Sequence, residues 1–281
     1  MLVEVLTRVV LVVGFLLPIS VGLFIGRKRL ATTRTEWRSR IRVAAPAILV
    51  LSVVLLVSRL IRWGGVDSDI GFHMTETIRQ LEGEFVLIFL GVSSPELTSY
   101  LTFIYIYGYT FLLVFPVVAY FALSDTKMFR RLLTAYAFNY AIGLVLYVLV
   151  IAYGPRNVFV EQLLTGSGSS PMIYEHSVEY QYLTREVNRN TNVFPSLHTS
   201  LSATVGIFAY LTRSSYPKWF PVAGVISISV IISTMYLGLH WGIDVLAGLA
   251  LATLCVALSY RLVGRWSLSG LYKRAVESKW F

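Results

Sequence analysis

Cysteine is almost missing from this 281-residue chain, and charge is missing from its long apolar stretches. The single cysteine, Cys255, lies within an apolar run, which rules out a disulfide framework and a CxxC metal knuckle and leaves a small core residue. Charged residues make up only 14% of the sequence against 56% hydrophobic, with a mean hydropathy of +0.68. A soluble domain of this length does not have such a balance, so the composition is that of a membrane protein. Acidic residues are few as well, 15 against 24 Lys and Arg, for a net charge of +9. A nucleic-acid partner would need those cations gathered on one folded surface among base-stacking aromatics, and their distribution is different. Internal repeats are lacking, and GSGSS at 166–170 is the one tract of linker composition.

What the chain does have is uncharged runs approaching the roughly 20 residues that cross a bilayer. They fall at Val9–Gly26, Leu97–Ser124, Leu132–Pro155, Val193–Thr212 and Trp219–Leu239. Two shorter runs join them: Val43–Ser58, extended to Ile61 if Arg59 snorkels, and Val245–Tyr260, extended backward through Gly242–Asp244. The expectation is an all-α, polytopic helix bundle of about seven transmembrane helices. Alternate connections are basic, with seven Lys/Arg in Arg27–Arg42, three in Lys127–Arg131, two in Arg213–Lys218 and five from Arg261 onward. The intervening connections, Arg62–Glu96 and Arg156–Asn192, are longer yet hold only two and three.

The positive-inside rule then makes the basic connections and the C-terminus cytoplasmic and the N-terminus external. The positive charge is assigned to an inner membrane surface with anionic lipids, most simply the plasma membrane. A cleaved signal peptide fits poorly, because the basic start is weak and no small-residue cleavage site precedes the arginine cluster. Phe85–Val92 is too short to span and is expected in the interface, as part of an amphipathic segment from Ile78.

Ionisable groups inside such a chain each need a partner or a task. This topology brings four of them to one outer level: His198 at the fifth span, His240 and Asp244 at the junction of the sixth and seventh, and Arg156 after the fourth. His240 and Asp244 are four apart, so a helix from Trp241 onward places them on one face, where the carboxylate accepts from the imidazole. That bond fixes the tautomer and leaves the other ring nitrogen as nucleophile or base. At FPSLH, Pro195 suits a first helical turn, Ser196 is a cap or hydroxyl donor, and first-turn N–H groups attract an anion beside His198.

Each residue alone has an ordinary reading. H-x3-D recurs by chance, a lone interfacial histidine is usually structural, and Arg156 alone is an interfacial anchor. His73 and His176 read as solvated loop residues. Two histidines and an aspartate suggest zinc, but no fourth ligand accompanies them and 42 residues separate the histidines. A transporter or scaffold using the same His and Asp is a further alternative, although polar groups clustered at one face, without a repeat, do not favour transport.

At FPSLH and HWGID the chain resembles the type 2 phosphatidic acid phosphatase superfamily, whose pattern is K-x6-R-P, then P-S-G-H, then S-R-x5-H-x3-D. Pro195, Ser196 and His198 match the second motif, with Leu197 in the glycine position. Ser233, His240 and Asp244 match the third, with Thr234 in the arginine position. In the first motif Arg156 is present, Pro155 precedes it instead of following, and the lysine position holds Leu149. TMYLGLHWGID and FPSLH look most like the inositol phosphorylceramide synthase branch. The resemblance covers Leu132 to Tyr260. The first three spans lie outside it, and the chain is expected to divide into N-terminal transmembrane helices over 1–131 with a basic cytoplasmic loop and an outer interfacial segment, a catalytic bundle over 132–263 and a basic cytoplasmic tail over 264–281.

The resemblance further implies that His240 attacks phosphorus to form a phosphohistidine, Asp244 orients it, and His198 protonates the leaving group. Arg156 and Ser196 then hold phosphate oxygens. Arg185 and Arg189, helped by Asn190 or Asn192, are candidates to replace the missing cations. No metal or other cofactor is implied. The substrate is a membrane lipid phosphate or diphosphate at headgroup depth, and the acceptor is water, for a hydrolase, or a lipid or polyol hydroxyl, for a phosphotransferase. An inactive relative that kept the fold is the remaining alternative. Tyr105, Tyr107 and Tyr109 read as an interfacial tyrosine belt, with the lining of a substrate path as the second reading.

Overall fold

The computed structural model describes residues 2–63, 71–92, 94–158 and 192–264. Arg185, Arg189, Asn190, His176, the 166–170 tract and nearly all of the 264–281 tail lie outside them. The described chain is helical apart from short connections. Helix α1 (Leu2–Ser20) continues as a π-turn (Val21–Ile25), and after a break at Gly26 helix α2 runs through Arg27–Trp63. The short strand β1 (Phe72–His73), α3 (Thr75–Glu82) and α4 (Phe85–Gly91) follow. Then come α5 (Pro95–Phe103), a second π-turn (Ile104–Gly108), α6 (Tyr109–Phe121), α7 (Lys127–Leu149) and strand β2 (Val150–Ile151). Helices α8 (Leu197–Leu211), α9 (Trp219–Tyr236) and α10 (Gly242–Leu262) complete the described chain.

Among the described residues, six helical stretches are long and apolar enough to cross a membrane: Val3–Ile25, Arg27–Ile61, Pro95–Phe121, Lys127–Leu149, Trp219–Tyr236 and Gly242–Leu262. This is an integral, multi-pass membrane protein. The expected fifth span is shorter, because Asn192–Ser196 is irregular and the apolar helix covers only Leu197–Leu211. Two other expectations change. The Arg27–Arg42 connection is helical, being the first turns of a 37-residue α2, about 55 Å long at 1.5 Å per residue. The fourth span stops at Leu149, where the β-branched Val150 and Ile151 turn extended and pair in parallel with Phe72 and His73. His73 is exposed, but on this strand and not in a loop.

The main core lies at the crossing of α1, α2, α6, α7, α8 and α9. Phe115 packs against Trp219 with ring centroids 4.5 Å apart, and Phe24 and Phe111 close the group. Around it the fully buried Leu112, Leu132, Leu201, Val205 and Phe208 fill the bundle. Asn139 is buried among them and is satisfied: Nδ2 donates to Ala135 O and Thr204 Oγ1, and Oδ1 accepts from Ser200. In hydrocarbon such bonds tie helix to helix.

The basic end is fastened by cations. Arg40 is buried and donates to the carbonyls of Phe121 and Leu123, capping the end of α6, while Glu36 binds it from one turn back. Arg29 donates to Ser215 O, and Arg131 lies 3.9 Å from the Tyr260 ring centroid. At the opposite end a smaller cluster of Ile78, Val86, Ala152, Val193 and Trp241 joins α3 and α4 to the irregular connections. Helices α3 and α4 leave Leu81, Phe85 and Ile88 exposed on their outer side, the amphipathic pattern expected of an interfacial segment.

Candidate active site

Three connections converge at this second end. The loop after α9 is turned by Gly238, whose φ of +65° is one that side chains rarely adopt. Leu239 and His240 both donate their backbone N–H to Thr234 O, at 3.0 and 3.1 Å. The segment after β2 lies directly on this loop. A Cβ on Gly154 would sit 2.3 Å from Leu239 O, and Arg156 donates its backbone N–H to Gly238 O at 2.8 Å. The start of α8 is tied to α10 by the Ser196 N–H to Asp244 O bond of 3.1 Å. Gly248 keeps that contact tight, since a Cβ there would lie 2.6 Å from Ser196 O.

This backbone frame assembles the histidine and aspartate pair. His240 precedes α10 instead of lying on it, and Asp244 occupies the third helical position. The two still meet, with His240 Nδ1 3.5 Å from Asp244 Oδ2 and both side chains buried. Asp244 Oδ2 also accepts the Trp241 N–H at 2.8 Å, so one carboxylate caps the helix and faces the imidazole. Trp241, fully buried, donates Nε1–H to Tyr153 O at 2.8 Å and locks the first connection to the third.

Ser196 is the N-cap of α8, one of its two expected roles, with Oγ accepting the Thr199 N–H, so Pro195 precedes the cap instead of lying in the first helical turn. Ser196 is fully buried. His198 then falls in the first turn of this helix, whose cap residue is bonded to the backbone of Asp244. Arg156 is buried in residues 155–158 beside the Gly238 turn.

Asn192 acts locally. Its Nδ2 donates to Tyr147 O and Val150 O, and its Oδ1 accepts from Ala152 and Phe194 N–H groups. All four hydrogen-bonding positions of the amide are thereby used on backbone. Thr234, in the family's arginine position, is buried with its hydroxyl on Ile231 O. Leu149, in the lysine position, ends α7 half exposed. Arg189 lies outside the described residues, so the structure brings together His198, His240, Asp244, Arg156, Ser196 and Asn192 of the expected set.

Glu82 was not evident in the sequence, and Tyr105 and Tyr109 stood out there without a link to His198. Glu82, at the end of α3, accepts the Ile243 N–H at 3.0 Å and so caps α10 from outside the expected site. Tyr105 and Tyr109 pack on His198, with centroids 4.5 and 4.3 Å away. Tyr105 is buried and is therefore part of the site instead of an interfacial belt.

A buried imidazole beside a carboxylate, with a second histidine in the first turn of a helix tied to the same aspartate, thus lies at one end of a polytopic helix bundle. The PAP2 superfamily profile matches residues 72–258, more than half of the chain, and the protein belongs to that superfamily. Among solved structures it is similar to a transmembrane PAP2-type phosphatidylglycerolphosphate phosphatase from Bacillus subtilis. The identity is 19% and the TM-score 0.36, over 76% of this chain and 94% of that one. No curated protein matches at a significant level.

Proposed function

We propose that the protein is a membrane lipid phosphatase or phosphotransferase in which His240 carries the phosphoryl group. The supporting observation is the buried His240 and Asp244 pair, 3.5 Å apart, held against the helix start that bears His198. With Nδ1–H directed to Asp244, His240 presents Nε2 to phosphorus. The Nε2–P bond forms as the bond to the leaving oxygen breaks, and His198 gives that oxygen its proton. Water or an acceptor hydroxyl then attacks phosphorus, losing its proton to His198 as the P–N bond breaks.

Arg156, the first-turn N–H groups of α8 and Arg189 supply the positive charge that the equatorial oxygens need. Ser196 holds that first turn in place and keeps its hydroxyl proton to donate, while Asn192 fixes the approach of the chain to Pro195. No metal ion takes part. The TMYLGLHWGID phrase favours the branch in which a polyol or lipid hydroxyl replaces water. Alternation of basic connections places the N-terminus outside, the C-terminus in the cytoplasm and the site at the outer face of the plasma membrane.

The test is turnover by purified protein in detergent with EDTA present, offered labelled polyprenyl diphosphate and phosphatidylinositol-type lipids. Released phosphate or a new lipid is expected, with His240→Ala abolishing it. Asp244→Asn, which keeps an acceptor for Trp241 but loses the charge, is expected to lower kcat by about a hundredfold or more. Full turnover by His240→Ala refutes the nucleophile. Lipid binding without any turnover in the wild type identifies an inactive relative, scaffold or transporter instead.

A further inference from the structure

The two histidines have different partners behind them, and the difference has chemical content. His240 faces a carboxylate. His198 faces a phenol: Tyr105 Oη lies 3.5 Å from His198 Nδ1, the two rings stack at 4.5 Å and 24°, and Tyr109 lies against the same imidazole at 4.3 Å. Tyr105 lies within the π-turn Ile104–Gly108 that joins α5 to α6, and Tyr109 follows it directly. Single π-turns inserted in otherwise regular helices recur at functional sites. Here the wider turn keeps Tyr105 and Tyr109, four residues apart, on the face toward α8.

We propose that Tyr105 is a positioning residue for His198, its phenol oxygen accepting from Nδ1–H so that Nε2 is the nitrogen that releases and regains the proton. The inference rests on the reading of His198 as general acid. In the charged ring Nδ1–H points to Tyr105 and Nε2–H to the leaving oxygen. After transfer the ring is neutral and still holds Nδ1–H on the phenol, so Nε2 has the lone pair that takes the acceptor's proton in the second half-reaction. A carboxylate in this place would hold the ring charged and oppose proton release. A phenol orients it and leaves the proton mobile. The stacked rings prevent the imidazole from turning over between the two halves.

Tyr105→Phe keeps the stacking and removes only the oxygen. The expected result depends on the leaving group. With an alkyl phosphate or lipid phosphate, which needs protonation, kcat falls about tenfold with KM within about twofold, a part of the roughly hundredfold or more that a general acid contributes. With p-nitrophenyl phosphate, whose leaving group needs no acid, kcat/KM, which reports only the first half-reaction, stays within about twofold. A loosened site would lower both alike, and equal losses on both substrates, or none on either, overturn the proposal. A second measurement does not require turnover. In protein labelled with 15N-histidine, with His198→Gln identifying the signals, the wild-type neutral ring is expected as the Nδ1–H tautomer, and Tyr105→Phe is expected to shift the population toward Nε2–H. An unchanged tautomer ratio overturns it. Absence of wild-type activity on every phosphate would count against the proposed function, and the tautomer measurement would still decide the Tyr105 contact.

Discussion

Gly154→Ala tests whether the site depends on the close approach of two connections. The added Cβ would meet Leu239 O at 2.3 Å, and ordinary contact begins at 3.4 Å. The difference, 3.4 minus 2.3, requires the 152–156 segment and the Gly238–His240 turn to part by about 1 Å. The obstacle is backbone on both sides, so no rotamer change relieves it. Moving that far stretches the 2.8 Å bond from Arg156 N–H to Gly238 O beyond hydrogen-bonding range. Overpacking of this kind costs about 1–3 kcal/mol of stability.

The effect on turnover is expected to exceed that on folding, because the displaced groups are Arg156 and His240. A misplacement of about 1 Å costs about a hundredfold in rate, equivalent to about 2.7 kcal/mol in the barrier. The assay is phosphate release at saturating lipid phosphate, paired with thermal unfolding in the same detergent. Gly224→Ala is the control, since nothing lies within 4 Å of that added Cβ in the middle of α9. It is expected to leave turnover unchanged and to stabilise by up to about 1 kcal/mol, the helix-propensity gain of Ala over Gly. If Gly154→Ala turns over within twofold of the wild type, the packed-loop account of the site is wrong.

Two further perturbations separate the ends of the bundle. Asn192→Ala strands two N–H groups and two carbonyls and is expected to cost about 2–3 kcal/mol. Asn192→Asp is expected to unfold at a lower temperature still, because it turns carboxylate oxygens toward the carbonyls of Tyr147 and Val150; thermal melts rank the two. At the basic end, Arg40→Met removes the donors to Phe121 O and Leu123 O and is expected to cost about 3 kcal/mol, with kcat per folded molecule unchanged. A kcat loss there at equal folding would show that the basic end is coupled to the chemistry.

The helices were legible because hydrocarbon imposes a length and a lack of charge that a linear chain displays directly. Each expected run overlaps a described helix, six of them long and apolar enough to cross a membrane, and the errors lie where other forces act. The cationic Arg27–Arg42 stretch looked like a connection, yet positive charge does not prevent helix formation, and α2 begins there. The fourth span lost its last turn because Val150 and Ile151 found a strand partner about 75 residues earlier, which local pattern cannot reveal.

At the site, His198, His240 and Asp244 stood out as polar groups in an apolar chain, and Asp244 does lie opposite His240. Asn192 was visible too, but as a phosphate contact, and only the structure shows its amide occupied by backbone. Tyr105 and Tyr109 showed a helical spacing without a target, since an interfacial tyrosine and one stacked on an imidazole look alike in sequence. Glu82 carried no signal, because a cap supplied from another helix has no fixed distance along the chain.

That remote cap links chemistry to surroundings. Glu82 grips the first turn of α10, where Asp244 resides, and it belongs to a short helical pair whose Leu81 and Ile88 are largely exposed, with Phe85 half-exposed beside Gly242. Acyl chains are the natural cover for those three side chains, so lipid depth and fluidity would act on the aspartate through one carboxylate. The bilayer would then serve this enzyme as a structural wall, and a change in lipid thickness would act on its rate as a mutation does.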